Sequence, residues 1–224
     1  YVAMATGLYP ELTNLTLSAW IKTDTRPASG SYGAIAGRGY LGNMNGFGLF
    51  LCGDDDKVYI QTRTGGTTVT AGTAYPFDGA WHHVAGVRDG DTTRLYLDGV
   101  LAAEATGSLS SLYSPGIAFG LGARQEGGNG WVNKGFYFTG SMRDVRLYNY
   151  ARSSREIKSD RSYYLKGTET GLIGYWPLDE GVDDTVFDGT KTNDNPGIGF
   201  DTFWEYTVDF MRQRPPPGLL IRLF

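Results

Sequence analysis

Asp98 and Gly99 alone separate the run Arg94-Leu95-Tyr96-Leu97 from the segment that opens at Val100. A two-residue Asp-Gly link of this kind predicts a type I′ β-hairpin, because both central residues must adopt positive φ. Just upstream, Trp81-His82-His83-Val84-Ala85-Gly86-Val87 reads as a strand that ends at the Asp89-Gly90-Asp91 turn. The stretch from Trp81 to Ala105 is therefore expected to form three antiparallel strands in a meander.

The same period of two recurs along the chain. Leu15, Leu17, Ala19 and Ile21 alternate with Thr16, Ser18, Trp20 and Lys22, which gives a strand with one core face. Short apolar runs follow at Ala34-Ile35-Ala36, at Phe47 to Cys52 and at Val58 to Gln61, each set apart by Gly, Asn or Asp. A further strand is expected over Phe136 to Tyr148, with Val145 and Leu147 on one face and Asp144, Arg146 and Tyr148 on the other. Ser153-Ser154-Arg155-Glu156 has the form of a capping box and predicts one short helix ending near Lys158. The 33 glycines among 224 residues are about twice the usual share, which suits many tight turns. The fold class that follows is all-β, a two-sheet antiparallel β-sandwich (jelly roll) with one short helix. A chain of this length buries enough apolar surface to fold without disulfides or a metal.

Charge narrows the partners. The net charge is −4 and no cluster of Lys and Arg dominates any segment, which argues against nucleic acid. No stretch has the length of a membrane span. The single Cys52 lies in the apolar run Gly48-Leu49-Phe50-Leu51-Cys52 and is expected to be a buried thiol. The chain opens at Tyr1-Val2 without an initiator Met, so it reads as a fragment or processed product with any export signal upstream.

Three blocks together carry a family resemblance. They are Leu15-Thr16-Leu17-Ser18-Ala19-Trp20-Ile21-Lys22; Trp81-His82-His83-Val84-Ala85 leading to Leu95-Tyr96-Leu97-Asp98-Gly99; and Phe138-Thr139-Gly140-Ser141-Met142-Arg143-Asp144-Val145-Arg146-Leu147-Tyr148-Asn149. In this order they resemble the laminin-G-like jelly-roll domains of the concanavalin A-like lectin/glucanase superfamily, of the bacterial extracellular type. The resemblance covers residues 1–160, taken as one sandwich domain. Gly171-Leu172-Ile173-Gly174-Tyr175-Trp176-Pro177-Leu178-Asp179-Glu180-Gly181 is similar to the segment that opens such domains. Residues 161–200 are accordingly either a closing strand of this sandwich or the start of a truncated second repeat, and 201–224 form an extended tail.

The resemblance also implies chemistry to look for. Related β-glucanases and lectin-like modules often ligate a structural calcium through an acidic residue two positions before the Val-Arg-aliphatic-Tyr stretch. Arg143 stands there in this chain, and a guanidinium repels a cation rather than ligating it. Superfamily glucanases place two glutamates around an aspartate on one strand. Here Glu11, Glu104, Glu126, Glu156, Glu169, Glu180 and Glu205 are scattered, so catalysis is not expected. His82 and His83 are adjacent on a strand and should point to opposite faces.

Four segments remain as candidate sites. Asp54-Asp55-Asp56 is either a calcium site or a solvated hairpin turn; no other cofactor is indicated. The glycine-rich loop from Gly122 to Lys134 offers Arg124, Gln125, Asn129, Trp131 and Asn133, either a site where an aromatic face beside forked polar groups suits a sugar ring or a long loop whose Trp131 tucks against the sandwich edge. Asn43 and Asn45 either line the same rim or form a turn. In the tail, Trp204, Tyr206 and Phe210 share an apolar face, and Leu219, Leu220, Ile221 and Phe224 follow the stiff Pro215-Pro216-Pro217 spacer. Such a tail should pack on protein, its own sandwich or a neighbour in a homo- or hetero-oligomer, with the spacer favouring a neighbour.

The function expected is non-catalytic recognition or adhesion outside the cell or at its surface, with a glycan as ligand. The alternative is a structural module that docks on a surface protein within a larger assembly, and a glycan-cleaving enzyme comes third.

Overall fold

Asp98 and Gly99 adopt φ values of 51° and 78° in the computed structural model, which is the type I′ turn that their spacing requires. The structure describes residues 1–6, 11–39, 45–112, 117–124, 136–179, 185–191, 197–199, 202–206 and 219–223. Strands β1 (Val2–Thr6), β2 (Leu15–Lys22), β3 (Tyr32–Arg38), β4 (Gly46–Cys52), β5 (Lys57–Thr64) and β6 (Thr67–Ala74) come first. Next are β7 (Trp81–Asp89), β8 (Thr92–Leu97), β9 (Val100–Thr106), β10 (Ala118–Leu121) and β11 (Gly140–Tyr148). Helix α1 (Ser154–Asp160) precedes β12 (Leu172–Trp176), β13 (Thr185–Val186), β14 (Gly197–Gly199), β15 (Thr202–Tyr206) and β16 (Leu219–Leu223).

These strands make two antiparallel sheets. The first has the order β13-β14-β1-β10-β3-β4-β5-β6. The second has the order β15-β16-β11-β2-β7-β8-β9, with β12 also paired to β11. Between them lies one core. Leu15, Leu17, Ala19 and Ile21 of β2 meet Val84, Leu95, Val145 and Leu147 of their own sheet and Phe47, Leu49, Val58 and Ile60 of the other. Each Leu, Ile, Val or Phe among them stabilises the fold by about 1.5–3 kcal/mol. At Gly86 the sheets leave no room for a side chain: a Cβ there would stand 2.5 Å from Ile60.

The β11 strand departs from strict alternation. It starts at Gly140 rather than Phe136, and Tyr137 makes only an isolated bridge to Ala34. Asp144 has a φ of 53°, and the register with β2 slips between Arg143 and Arg146. This bulge puts Met142 and Val145 on the same core face although they are three residues apart. Arg143, Asp144 and Arg146 all lie on the outer side. There Arg143 sits 5.4 Å from the Trp81 ring, and Arg146 forks to Asp144 at 2.9 and 2.7 Å.

Helix α1 caps that outer side. The Ser153 hydroxyl accepts from the Glu156 amide at 3.3 Å, and the Glu156 carboxylate accepts from the Ser153 amide at 2.7 Å. Ile157 packs on Ala85, Val87 and Tyr96 of the sheet. Arg152 forks to Asp160 at 2.7 and 2.6 Å, so two buried guanidiniums are matched by two buried carboxylates. His83 and Trp20 lie under this cover with their rings 5.4 Å apart, and Arg161 stands 5.9 Å from the Trp20 ring.

Two C-terminal segments share the remaining edge of β11. β12 pairs with its second half, Val145 opposite Trp176, and Trp176 stacks on Phe119 of the facing sheet at 5.1 Å. β16 pairs with its first half, Met142 opposite Ile221, and β15 in turn pairs with β16. β16 thus lies in the chain's own sheet.

Candidate functional site

On the first sheet, β5 alternates without interruption. Val58, Ile60, Thr62 and Thr64 are buried, while Lys57, Tyr59, Gln61 and Arg63 line the outer face. Pairing carries that face sideways: Tyr59 is opposite Phe50 on β4 and Gly72 on β6, and Gln61 is opposite Gly48 and Thr70. Cys52 of β4 is opposite Tyr32 of β3.

The result is a continuous aromatic row. Tyr59 stacks beside Phe50, with ring centroids 5.5 Å apart and planes 22° apart. Phe50 meets the edge of Tyr32 at 5.2 Å, and Tyr32 stacks on Phe136 at 5.6 Å. At the far end the Arg124 guanidinium lies 4.7 Å from the centre of the Phe136 ring. Tyr32, Phe50, Cys52, Tyr59, Gln61 and Thr70 line a depression of about 240 Å³ on this surface.

Hydrogen bonds fix the groups at its rim. The Tyr59 hydroxyl donates to Asp55 Oδ2, which also lies 3.3 Å from Lys57 Nζ. Burial and then Asp55 push the Tyr59 phenol well above its usual range, so it stays a neutral donor. Burial would raise Asp55, but the bond from Tyr59 and then Lys57 outweigh it and hold the carboxyl below its usual range. Gln61 donates to the Thr70 hydroxyl at 3.3 Å. Burial pushes the Cys52 thiol up, so it is not a nucleophilic thiolate. The surface presents the partly covered rings of Tyr32, Tyr59 and Phe136, with Phe50 buried between Tyr32 and Tyr59, beside an amide and hydroxyls.

The residues singled out from the sequence fall in several places. Arg124 joins the end of the aromatic row. Asn45 accepts from the Gly65 amide at 2.8 Å, in the turn between β5 and β6. Asn43, Gln125, Asn129, Trp131 and Asn133 lie outside the described residues. In the tail, Trp204 and Tyr206 belong to β15 and Leu219, Leu220 and Ile221 to β16, whereas Phe210 and Phe224 lie outside the described residues.

The three aspartates face different partners. Asp54 accepts from Ser29 and the Gly30 amide, Asp55 from Tyr59, and Asp56 from Arg26. Among the described residues no group of three carboxylate, histidine or cysteine side chains could hold a metal ion. His82 points towards Asp98 and Asp78 at 2.7 and 3.2 Å, while His83 is buried on the opposite face.

The aromatic row itself was not among these residues. Its one sequence signal is the alternation Lys57-x-Tyr59-x-Gln61-x-Arg63. Phe50 sits within an unbroken apolar run, where nothing marks it as outward-facing.

A two-sheet antiparallel sandwich of this strand order is a jelly-roll fold. The family model of the concanavalin A-like lectin/glucanases superfamily, laminin G type, matches residues 1–158, and the chain belongs to that family. Among curated proteins, the rat protein with sushi, von Willebrand factor type A, EGF and pentraxin domains is 26% identical over 174 residues. That match takes in 76% of this chain and 5% of the rat protein, so the chain spans about a twentieth of its relative's length. A structure from Bacteroides ovatus, assigned to carbohydrate binding, superposes with a TM-score of 0.66 at 20% identity, over 88% of this chain and 55% of that one. Domain 4 of an extracellular arabinanase from Geobacillus stearothermophilus, solved with arabinotriose, superposes with a TM-score of 0.51 at 18% identity, over 70% of each chain. At these identities the superpositions speak for the fold.

Proposed function

We propose that this chain is a non-catalytic recognition module, acting outside the cell or at its surface, that binds carbohydrate on the outer face of β3 to β6. The partly exposed rings of Tyr59, Tyr32 and Phe136, joined by the buried Phe50, carry this reading. Flat rings match the apolar faces of pyranose rings, and Gln61 and Thr70 supply the donors and acceptors that hydroxyls need. The carbohydrate-binding assignment of the Bacteroides relative and the arabinotriose complex agree with it. Recognition needs no resident metal on this reading, since Asp54, Asp55 and Asp56 are engaged elsewhere and a guanidinium, Arg143, stands at the position where the family resemblance leads one to look for an acidic ligand.

A glycan-array screen with and without EDTA tests the proposal. Binding to a defined set of glycans, undiminished by EDTA and lost in Tyr59→Ala, is the expected result. Silence on the array, or binding that Tyr59→Ala leaves intact, would refute it.

A second reading, docking on protein, is favoured by one observation. Val100 and Leu101 at the start of the edge strand β9 are 68% and 47% exposed. Sedimentation of the isolated chain and of Leu101→Lys decides it: concentration-dependent association that the substitution abolishes would support this reading.

A further inference from the structure

The angles between the rings deepen the glycan reading, on which this inference rests. The Tyr59 ring lies over Gly72, and the plane of the buried Phe50 is 22° from it. These two rings make a floor. Tyr32 stands across it, with its plane turned 86° from that of Phe50. Phe136 stacks on Tyr32 at 25° and 5.6 Å, and the buried Arg124 lies 4.7 Å from the centre of the Phe136 ring. Tyr32 lines the depression and Phe136 does not, so Phe136 backs it from the far side. At the turn between β4 and β5, Asp55 accepts from the Tyr59 hydroxyl and pairs with Lys57. Tyr32 and Asp55 thus bound one corner of the floor. The opposite side is low: Gly48 has no side chain beside Gln61, and Thr70 follows on the edge strand β6.

The depression of about 240 Å³ is smaller than the pockets of roughly 300–1,000 Å³ that enclose drug-sized ligands, which suits one sugar ring rather than a stretch of chain. A chain laid lengthwise across the row would have to climb over Tyr32, whose ring is held by Phe136 and Arg124 packed behind it. A chain end meets no such obstacle. Its last ring stacks on Tyr59 with Tyr32 at its edge, and Gln61 and Thr70 meet the hydroxyls of the next sugar. We infer that this face takes the end of a glycan chain, the terminal sugar seated in the corner between Tyr32 and Asp55 and the chain leaving past Gln61 and Thr70.

Titration calorimetry of the full chain with a soluble polysaccharide of the linkage selected on the array tests this. Brief partial hydrolysis of the polymer multiplies chain ends at constant mass. The protein bound per gram at saturation should rise in proportion to the ends. Borohydride, which converts only the reducing-end sugar to an open-chain alditol, then assigns the end, and loss or retention of binding both keep the inference. Tyr32→Ala, with its melting transition unchanged, should bind short oligosaccharides about tenfold more weakly, the scale of one lost aromatic contact. Its capacity should follow mass instead of ends, because internal stretches then cross the floor, and Tyr32→Phe should restore the dependence on ends. A wild-type capacity unmoved by hydrolysis would overturn the end-on seat and leave the glycan site standing. So would a folded Tyr32→Ala that still counts ends at wild-type affinity. If Tyr32→Ala does not fold, the wild-type capacity decides alone. Silence toward every polymer and on the array would remove the glycan reading as well.

Discussion

The ring of Tyr59 lies across Gly72, its opposite residue on β6: a Cβ at Gly72 would stand 2.1 and 2.2 Å from two ring carbons. The absence of a side chain there is what lets the ring settle against the sheet and beside Phe50. Gly72 is not among the glycines with positive φ, so its backbone accepts alanine. Gly72→Ala should therefore fold with a stability change within about 1 kcal/mol, unfolded-state entropy offsetting the displaced ring. Glycan affinity should fall about tenfold as the platform is broken. Thermal melting and titration calorimetry on the same sample separate the two effects, and unchanged affinity would contradict the assignment of Tyr59.

A second prediction concerns acid. His83 is buried, and its pKa is lowered to about 3, first by burial and then by the charges of Arg146 and Arg161. In the unfolded chain a histidine takes up its proton near pH 6.5. Below that pH the unfolded state binds a proton that the folded state refuses. Stability present above about pH 6.5 is thus lost as pH falls towards 3, at about 1.4 kcal/mol per unit. Denaturant unfolding between pH 7 and 4 should show this slope flattened in His83→Gln relative to the wild type. Equal slopes would contradict a proton-free His83.

The third prediction addresses the charges beneath α1. Asp144 and Arg146 are both fully buried and joined by two hydrogen bonds. Asp144→Ala leaves the guanidinium with Asp160 at 3.6 Å and the Tyr163 carbonyl at 2.6 Å, and should cost about 3–5 kcal/mol. The double variant Asp144→Ala/Arg146→Met should recover the part of that loss owed to the stranded guanidinium, while the cost of alanine at the positive φ of residue 144 stays. Equilibrium unfolding in urea checks both, and a loss below about 1 kcal/mol in the single variant would contradict the burial of the pair.

What could be read from the sequence was local. The Asp98-Gly99 turn, the β2 alternation and the Ser153–Glu156 capping box each involve residues a few positions apart, and each was found in place. The helix merely runs to Asp160, two residues past Lys158. The β11 bulge was not located from the sequence: strict alternation would set Arg143 beside Val145 and Leu147 on the core face, and the positive φ of Asp144 turns it outward instead. The aromatic row was hidden for a different reason. Tyr32, Phe50, Tyr59 and Phe136 span more than a hundred residues and meet only through lateral pairing of β3, β4 and β5. Arg124 was found from the sequence for its own loop, and its place at the end of that row depends on the same pairing.

The claim that recognition takes place on the outer face of β3 to β6 is tested most directly by mapping the bound ligand. Amide and aromatic NMR shifts would be followed while the glycan selected on the array is titrated into the labelled chain. Changes centred on Tyr32, Phe50, Cys52, Tyr59, Gln61 and Thr70, with little change at Trp20, His83 and Ile157 under the helix, are the predicted result. Changes centred on the β9 edge or on the helix-covered face, with the aromatic row silent, would contradict it.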